Sequence, residues 1–181
     1  MLSYPKAYVD YLVEFHATRD FFECHELLEE YWKEHPSDPL ERTWVGLIQL
    51  AVGLYHERRG NRRGADKMLT QAVEKLSVAP LDKLGLDKEY LQKQIKSKLS
   101  DLNNEQRQQY TDLDMTIISE ELMGLCTAAC IDRGLTWGMP SPMQDESIIH
   151  RHTNRDRSDV ILARKQAHIA KRKRMKPSSG G

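Results

Sequence analysis

A chain of 181 residues with 30% charged and 7% aromatic side chains has the composition of one globular domain with a packed core, not of a disordered or fibrous polymer. No apolar run reaches the roughly 18–20 residues that a helix needs to cross a bilayer. The N-terminal MLSYPKAYVDYLVEF lacks a basic segment followed by an apolar one, so a secretory signal is not expected.

The first 80 residues read as four helices. Pro5 suits the first turn of a helix over about 5–17, with Tyr8, Leu12 and Phe15 at helical spacing. Asp20 followed by Glu23 is a capping-box pattern that opens a second helix over about 21–34, and Pro36 stops it. Asp38, Pro39 and Glu41 repeat the device for a third helix running to Gly60. That helix is apolar almost throughout (Trp44, Val45, Leu47, Ile48, Leu50, Ala51, Val52, Leu54), which predicts the most buried element. A fourth spans about 62–77 with Ala65, Met68, Leu69, Ala72, Val73 and Leu76 on one stripe. The short connections imply antiparallel neighbours.

Beyond Pro80 the pattern predicts an amphipathic helix over 87–103, a connection from Gln106 to Thr116, and a helix over about 119–132 capped by Ser119. WGMPSPMQD reads as a linker marked by proline and glycine, and residues 156–176 as a basic helix. The expected fold is therefore all-α: an antiparallel bundle of four core helices with additional C-terminal helices and a basic tail. Its expected divisions are a core over 1–80, accessory helices over 81–138, and a linker with tail over 139–181.

Cys24, Cys126 and Cys130 are odd in number and lack the spacing of a disulfide framework, which fits a reduced, cytoplasmic compartment. Cys126 and Cys130 share one face of an apolar helix and read as small buried hydrophobes.

One chemical constellation stands out, in FFECHELLEEYW. His25 and Glu29 are four residues apart, about 40° from each other on one helix face, so an imidazole nitrogen and a carboxylate oxygen can share a divalent cation. The bland alternative is a simple imidazole–carboxylate hydrogen bond. A third ligand must come from elsewhere; His56 is the best local candidate, with Gln49 two turns before it. Glu26 lies about 100° round from His25 and suits a base better than a ligand, and Trp32 can screen the pair from water. Nitrogen and oxygen ligands without a thiolate favour Zn, Mn or Fe. Glu29 occupies the position where a zincin protease motif has its second histidine, and Phe22 occupies the position of the glutamate in a ferritin-like Glu-x-x-His pair, so neither of those chemistries is expected.

Residues 21–76 resemble the domain-of-unknown-function family numbered 309, found in bacteria and archaea. The matching features are His25, Glu29 and Trp32 in a His-x-x-x-Glu-x-x-Trp motif, then GLIQLAVGLYH at 46–56 and GNRRGA at 60–65. The resemblance implies an all-helical domain and a metal-binding role for the motif, and it implies no particular reaction. The leading expectation is a helical protein that binds a divalent metal through His25 and Glu29. The alternative is a non-enzymatic binding or scaffolding module that uses its bundle surface or its tail. A ribonuclease reading, from the Arg-x5-His spacing of Arg19 and His25, ranks last because that pair straddles a helix start.

The net charge of zero conceals an asymmetry. Residues 1–150 carry 17 Lys and Arg against 25 Asp and Glu, whereas residues 151–181 carry 10 against 2. A polyanion is the partner such a tail would take, though folding back on the acidic body is the blander reading.

Overall fold

In the computed structural model, residues 4–107 and 109–154 are described, together with Gln166. By its internal contacts the chain divides into a unit that ends at His150 and a second that begins at Arg151. The basic helix expected over 156–176 lies outside the described residues, Gln166 apart.

Helix α1 (Lys6–Val13) starts directly after Pro5 and buries Tyr8, Tyr11 and Leu12. The sequence predicts that it continues to residue 17. Instead the turn widens into a π-helical segment over Glu14–Thr18, which ends at Arg19 in the left-handed conformation with φ 56°. Thr18 satisfies part of the loosened backbone by donating its hydroxyl to the Glu14 carbonyl (3.1 Å) and to the Glu14 carboxylate.

Helix α2 (Phe21–Glu34) has the expected bounds: the Asp20 carboxylate accepts the Glu23 N–H at 3.0 Å, and Phe21, Cys24 and Leu28 form its buried face. Before α3 (Glu41–Arg58), Asp38 accepts three hydrogen bonds, from Leu40 N–H (2.7 Å), the Trp44 indole (2.9 Å) and the Tyr31 hydroxyl (3.3 Å). One carboxylate thereby braces the turn before α3 and ties that helix to α2, but it is not the expected helix cap: α3 starts at Glu41 after Leu40, which makes no side-chain cap bond. Helix α3 packs against both α2 and α4 (Arg62–Ser77), and α4 packs against α5 (Lys88–Leu102). Helix α6 (Glu120–Arg133) is capped by Ser119, ends at Gly134 with φ 64°, and packs on α1. A short α7 (Glu146–Ile149) closes the first unit; in the second, α8 (Arg151–Asn154) is the helix described. The fold is all-helical, and an isolated bridge between Leu86 and Ile117 is the one β pairing among the described residues.

The irregular segments on either side of α6 are tied to the start of α2. Arg19, 2% exposed, donates from Nε to the Met139 carbonyl (2.7 Å), from Nη1 to the Leu113 carbonyl (3.2 Å) and from Nη2 to Asp114 (2.7 Å). The Asp112 carboxylate accepts the Ser141 N–H (2.7 Å), the Ser141 hydroxyl (2.5 Å) and the Tyr110 hydroxyl (2.9 Å). Burial works against ionisation of Asp112, but the Ser141 donors, Tyr110 and Arg19 outweigh it and hold the carboxyl below its ordinary range. The stretch marked by proline and glycine as a linker thus has the contacts of a strap as far as Ser141.

No described helix is long and apolar enough to cross a membrane. Cys24, Cys126 and Cys130 are free and buried. Burial raises the titration of all three thiols, that of Cys126 to about 12.

His16 generates a pH prediction. Its Nδ1 pairs with the Leu12 carbonyl (2.8 Å), its Nε2 accepts the Met115 N–H (3.0 Å), and the ring stacks on Trp137 with centroids 4.3 Å apart. These contacts fix a neutral ring, and burial, helped by nearby Arg19, lowers its pKa to about 4. An unfolded imidazole titrates near pH 6.5, so between about 6.5 and 4 the unfolded chain takes up a proton that the folded chain refuses. Stability from this site is complete above about pH 6.5 and falls as the pH drops toward 4, by about 3 kcal/mol at most. Denaturant melts across that window should show this loss, and His16→Gln, which keeps a donor and an acceptor, should flatten it. An equally steep slope in the variant would show that other groups carry the effect.

Two glycines give opposite expectations. A Cβ on Gly53 of α3 would stand 2.6 Å from Leu69 Cδ2 and 2.7 Å from its Cγ, whereas one on Gly124 of α6 would meet nothing within 4 Å. Gly53→Ala should cost about 1–2 kcal/mol, overpacking outweighing the gain in helix propensity. Gly124→Ala should stabilise by up to about 1 kcal/mol. Thermal melts that move both midpoints in the same direction would contradict this packing.

Candidate metal centre

The site sits on the outward side of α2, one turn after its capped start. The buried face of Phe21, Cys24 and Leu28 sets the rotation of the helix, and this leaves His25, Glu26 and Glu29 half-buried. His25 Nε2 lies 2.8 Å from Glu29 Oε2, and His25 Nδ1 lies 3.1 Å from Glu26 Oε1. The imidazole is bracketed by two carboxylates, one on each nitrogen. Phe22 meets the ring edge-on at 5.7 Å and reaches across to Tyr55 of α3, with centroids 6.1 Å apart.

Glu29 is shared. Its Oε1 accepts from Lys33 Nζ at 2.6 Å, so His25, Glu29 and Lys33 form a ladder at four-residue spacing. Partial burial disfavours the carboxylate, but Lys33 and His25 outweigh it and hold the Glu29 carboxyl below its ordinary range. Beside this ladder is a shallow cavity of about 360 Å³ lined by Glu26, Glu29, Glu30, Lys33 and Glu34.

Among the described residues this is the one group of three or more His, Cys, Asp or Glu side chains with converging ligand atoms, all within 4.8 Å of one another. Ligands that share a cation at about 2 Å each stand roughly 3–3.5 Å apart. The His25–Glu29 separation needs little adjustment to meet that, and an N/O donor set suits Zn, Mn or Fe. The two carboxylates contact opposite ring nitrogens, so one cation cannot take both contacts as they stand.

The other residues singled out in the sequence fall elsewhere. His56 is outside the converging group: its Nδ1 pairs with the Asn61 amide at 3.2 Å beside the start of α4, and burial together with Arg59 lowers its pKa, leaving the ring neutral at pH 7. Gln49 donates to Gln71 Oε1 at 2.8 Å, across to α4. Trp32 is half-buried against the core. Arg19, half of the ribonuclease spacing, is spent on the strap, and Cys24 is buried beneath α2, its thiol donating to the Tyr11 carbonyl at 3.5 Å. Sequence reasoning left out Lys33, which the four-residue spacing from Glu29 could have supplied. It also left out the contact of Glu26 with Nδ1, because adjacent helical residues do not ordinarily face one another.

The profile of the family described as Domain of unknown function (DUF309) matches residues 8–68, which span α1 to the first half of α4 and include the whole site. The chain is 44% identical over 173 residues to Uncharacterized protein YpuF of Bacillus subtilis (strain 168), covering 94% of this chain and 98% of that one. It is 29% identical over 70 residues to an Uncharacterized protein of Aquifex aeolicus (strain VF5), covering 39% of this chain and 21% of the other. No solved structure matches it. The chain belongs to the DUF309 family, and its relationship to the Bacillus subtilis protein extends over nearly the full length of both.

Proposed function

We propose that this is a divalent-cation-binding helical protein, with His25 Nε2 and Glu29 as protein ligands and Glu26 as the group that orients the ring. The observation that supports it is the bracketed imidazole. A cation would take the place of the Nε2 proton that Glu29 accepts across 2.8 Å, while Nδ1–H donated to Glu26 holds the ring, the arrangement by which a second carboxylate steers a metal-bound histidine. His56 remains the best candidate for a further ligand by its position in sequence; its pairing with Asn61 would have to open. A bound cation would supply Lewis acidity, polarising an oxygen of water or of an incoming ligand.

Exposed apolar side chains on α6, Leu125 at 42% and Ile131 at 72%, favour a second reading as a protein-binding module. The charge asymmetry still makes a polyanion the partner for the residues after 150. A cytoplasmic location accords with three unpaired, buried cysteines.

Calorimetry with Zn²⁺ and Mn²⁺ on the full chain should give one equivalent bound. Binding should be lost in His25→Ala, weakened at least tenfold in Glu29→Gln, and weakened about tenfold in Glu26→Gln, the usual effect of removing an orienting partner. Undiminished uptake by Glu29→Ala would remove the site.

Lys33 competes with a cation for Glu29. Its side chain is 63% exposed, so the pair is worth less than about 1 kcal/mol and Lys33→Ala should tighten binding by up to about fivefold. Weaker binding in that variant would mean that Lys33 helps to hold the carboxylate in its ligating position.

A further inference from the structure

Arg58 ends α3 and is 5% exposed. The face of its guanidinium lies over the Phe21 ring, 4.6 Å from the centroid. Its Nη1 donates to the Arg19 carbonyl (2.7 Å) and to the Ser141 hydroxyl (3.1 Å). Its Nε and Nη2 are buried and have no hydrogen-bond partner.

Three other buried charges do not behave this way. Arg19 is paired with Asp114, Lys98 with Glu57 at 3.1 Å, and Glu14 with Arg133. Arg58 has no ion pair among the described residues. Asp112, a carboxylate whose charge acts on Arg58, has its oxygens turned to Ser141 and Tyr110. Burying a cation without a direct ion pair is costly, and orphaned buried donors in a native structure call for a missing partner. Nε–H and Nη2–H lie on one edge of the guanidinium and point the same way, the fork that receives two oxygens of a carboxylate or phosphate. Ser141, on the Nη1 side, also lines an open depression formed by residues 141–147.

We infer that the vacant edge of Arg58 is a receptor for a small oxyanion, a carboxylate or phosphate group held side-on by Nε–H and Nη2–H, at a site separate from His25. Such an anion would neutralise the buried guanidinium where the ends of α3 and the strap meet. It would stabilise the folded chain in proportion to its occupancy.

The test is thermal unfolding of the full chain at pH 7.5 with sodium phosphate, sodium acetate or sodium chloride at matched ionic strength. Phosphate or acetate should raise the midpoint saturably and chloride should not; the stronger of the first two identifies the ligand class. In Arg58→Lys, which keeps the charge and loses the fork, the apparent dissociation constant should rise at least tenfold. Ser141→Ala touches only the Nη1 side and should keep the wild-type response. Equal responses to all three salts, or the same response in Arg58→Lys as in the wild type, would overturn the inference and leave water as the partner. If Arg58→Lys does not fold, the Arg58 Nε–H resonance of the wild-type chain carries the test. It should shift saturably with phosphate or acetate and not with chloride, and a stationary signal overturns the inference.

Discussion

The hydrogen bond from the Arg58 guanidinium to the Arg19 carbonyl joins the end of α3 to the start of α2, two points 39 residues apart in sequence. Arg19 is the residue at which the chain leaves the π-helical turn with a left-handed backbone, a conformation that costs a non-glycine residue about 1 kcal/mol or more. The guanidinium of Arg19 is in turn gripped by Leu113, Asp114 and Met139. Each arginine therefore immobilises the other's surroundings. The direction in which α2 sets out, and so the side on which His25 emerges, follows from that clasp together with the burial of Phe21 beneath Arg58.

Much of the bundle is legible because its signals are local. Asp20, Asn61, Asp87 and Ser119 each cap the helix that follows, and hydrophobic periodicity assigns the buried stripes. The π-helical turn is not legible: EFHAT carries no proline or glycine, and an arginine is an unusual residue for a left-handed position. What stabilises the departure lies about 100 residues away, at Met115 and Trp137 on His16 and at Asp114 and Met139 on Arg19. The strap is missed for the same reason. Proline and glycine mark a stretch as irregular, and they say nothing of whether it is gripped.

The site divides along similar lines. The His25–Glu29 pair follows from helix geometry alone, as does the link from Glu29 to Lys33. The second carboxylate on the ring depends on side-chain torsions that spacing does not specify, and position in sequence does not reveal that His56 turns to its own helix junction at Asn61. In the polar interior Arg19, Lys98 and Glu14 are each held in a matched ion pair, with Arg58 the exception. α2 instead keeps its carboxylates at the surface around one imidazole, where water and salt reach them and the groups can exchange partners.

The three buried thiols make the chain a reporter of its own fluctuations. Cys24 lies under α2, while Cys126 and Cys130 lie along the inner face of α6. Burial keeps each in its unreactive protonated form, so a thiol reagent reaches it when the covering helix lifts. Labelling rates at the two locations then measure two separate openings, of α2 from the core and of α6 from α1, without any engineered probe.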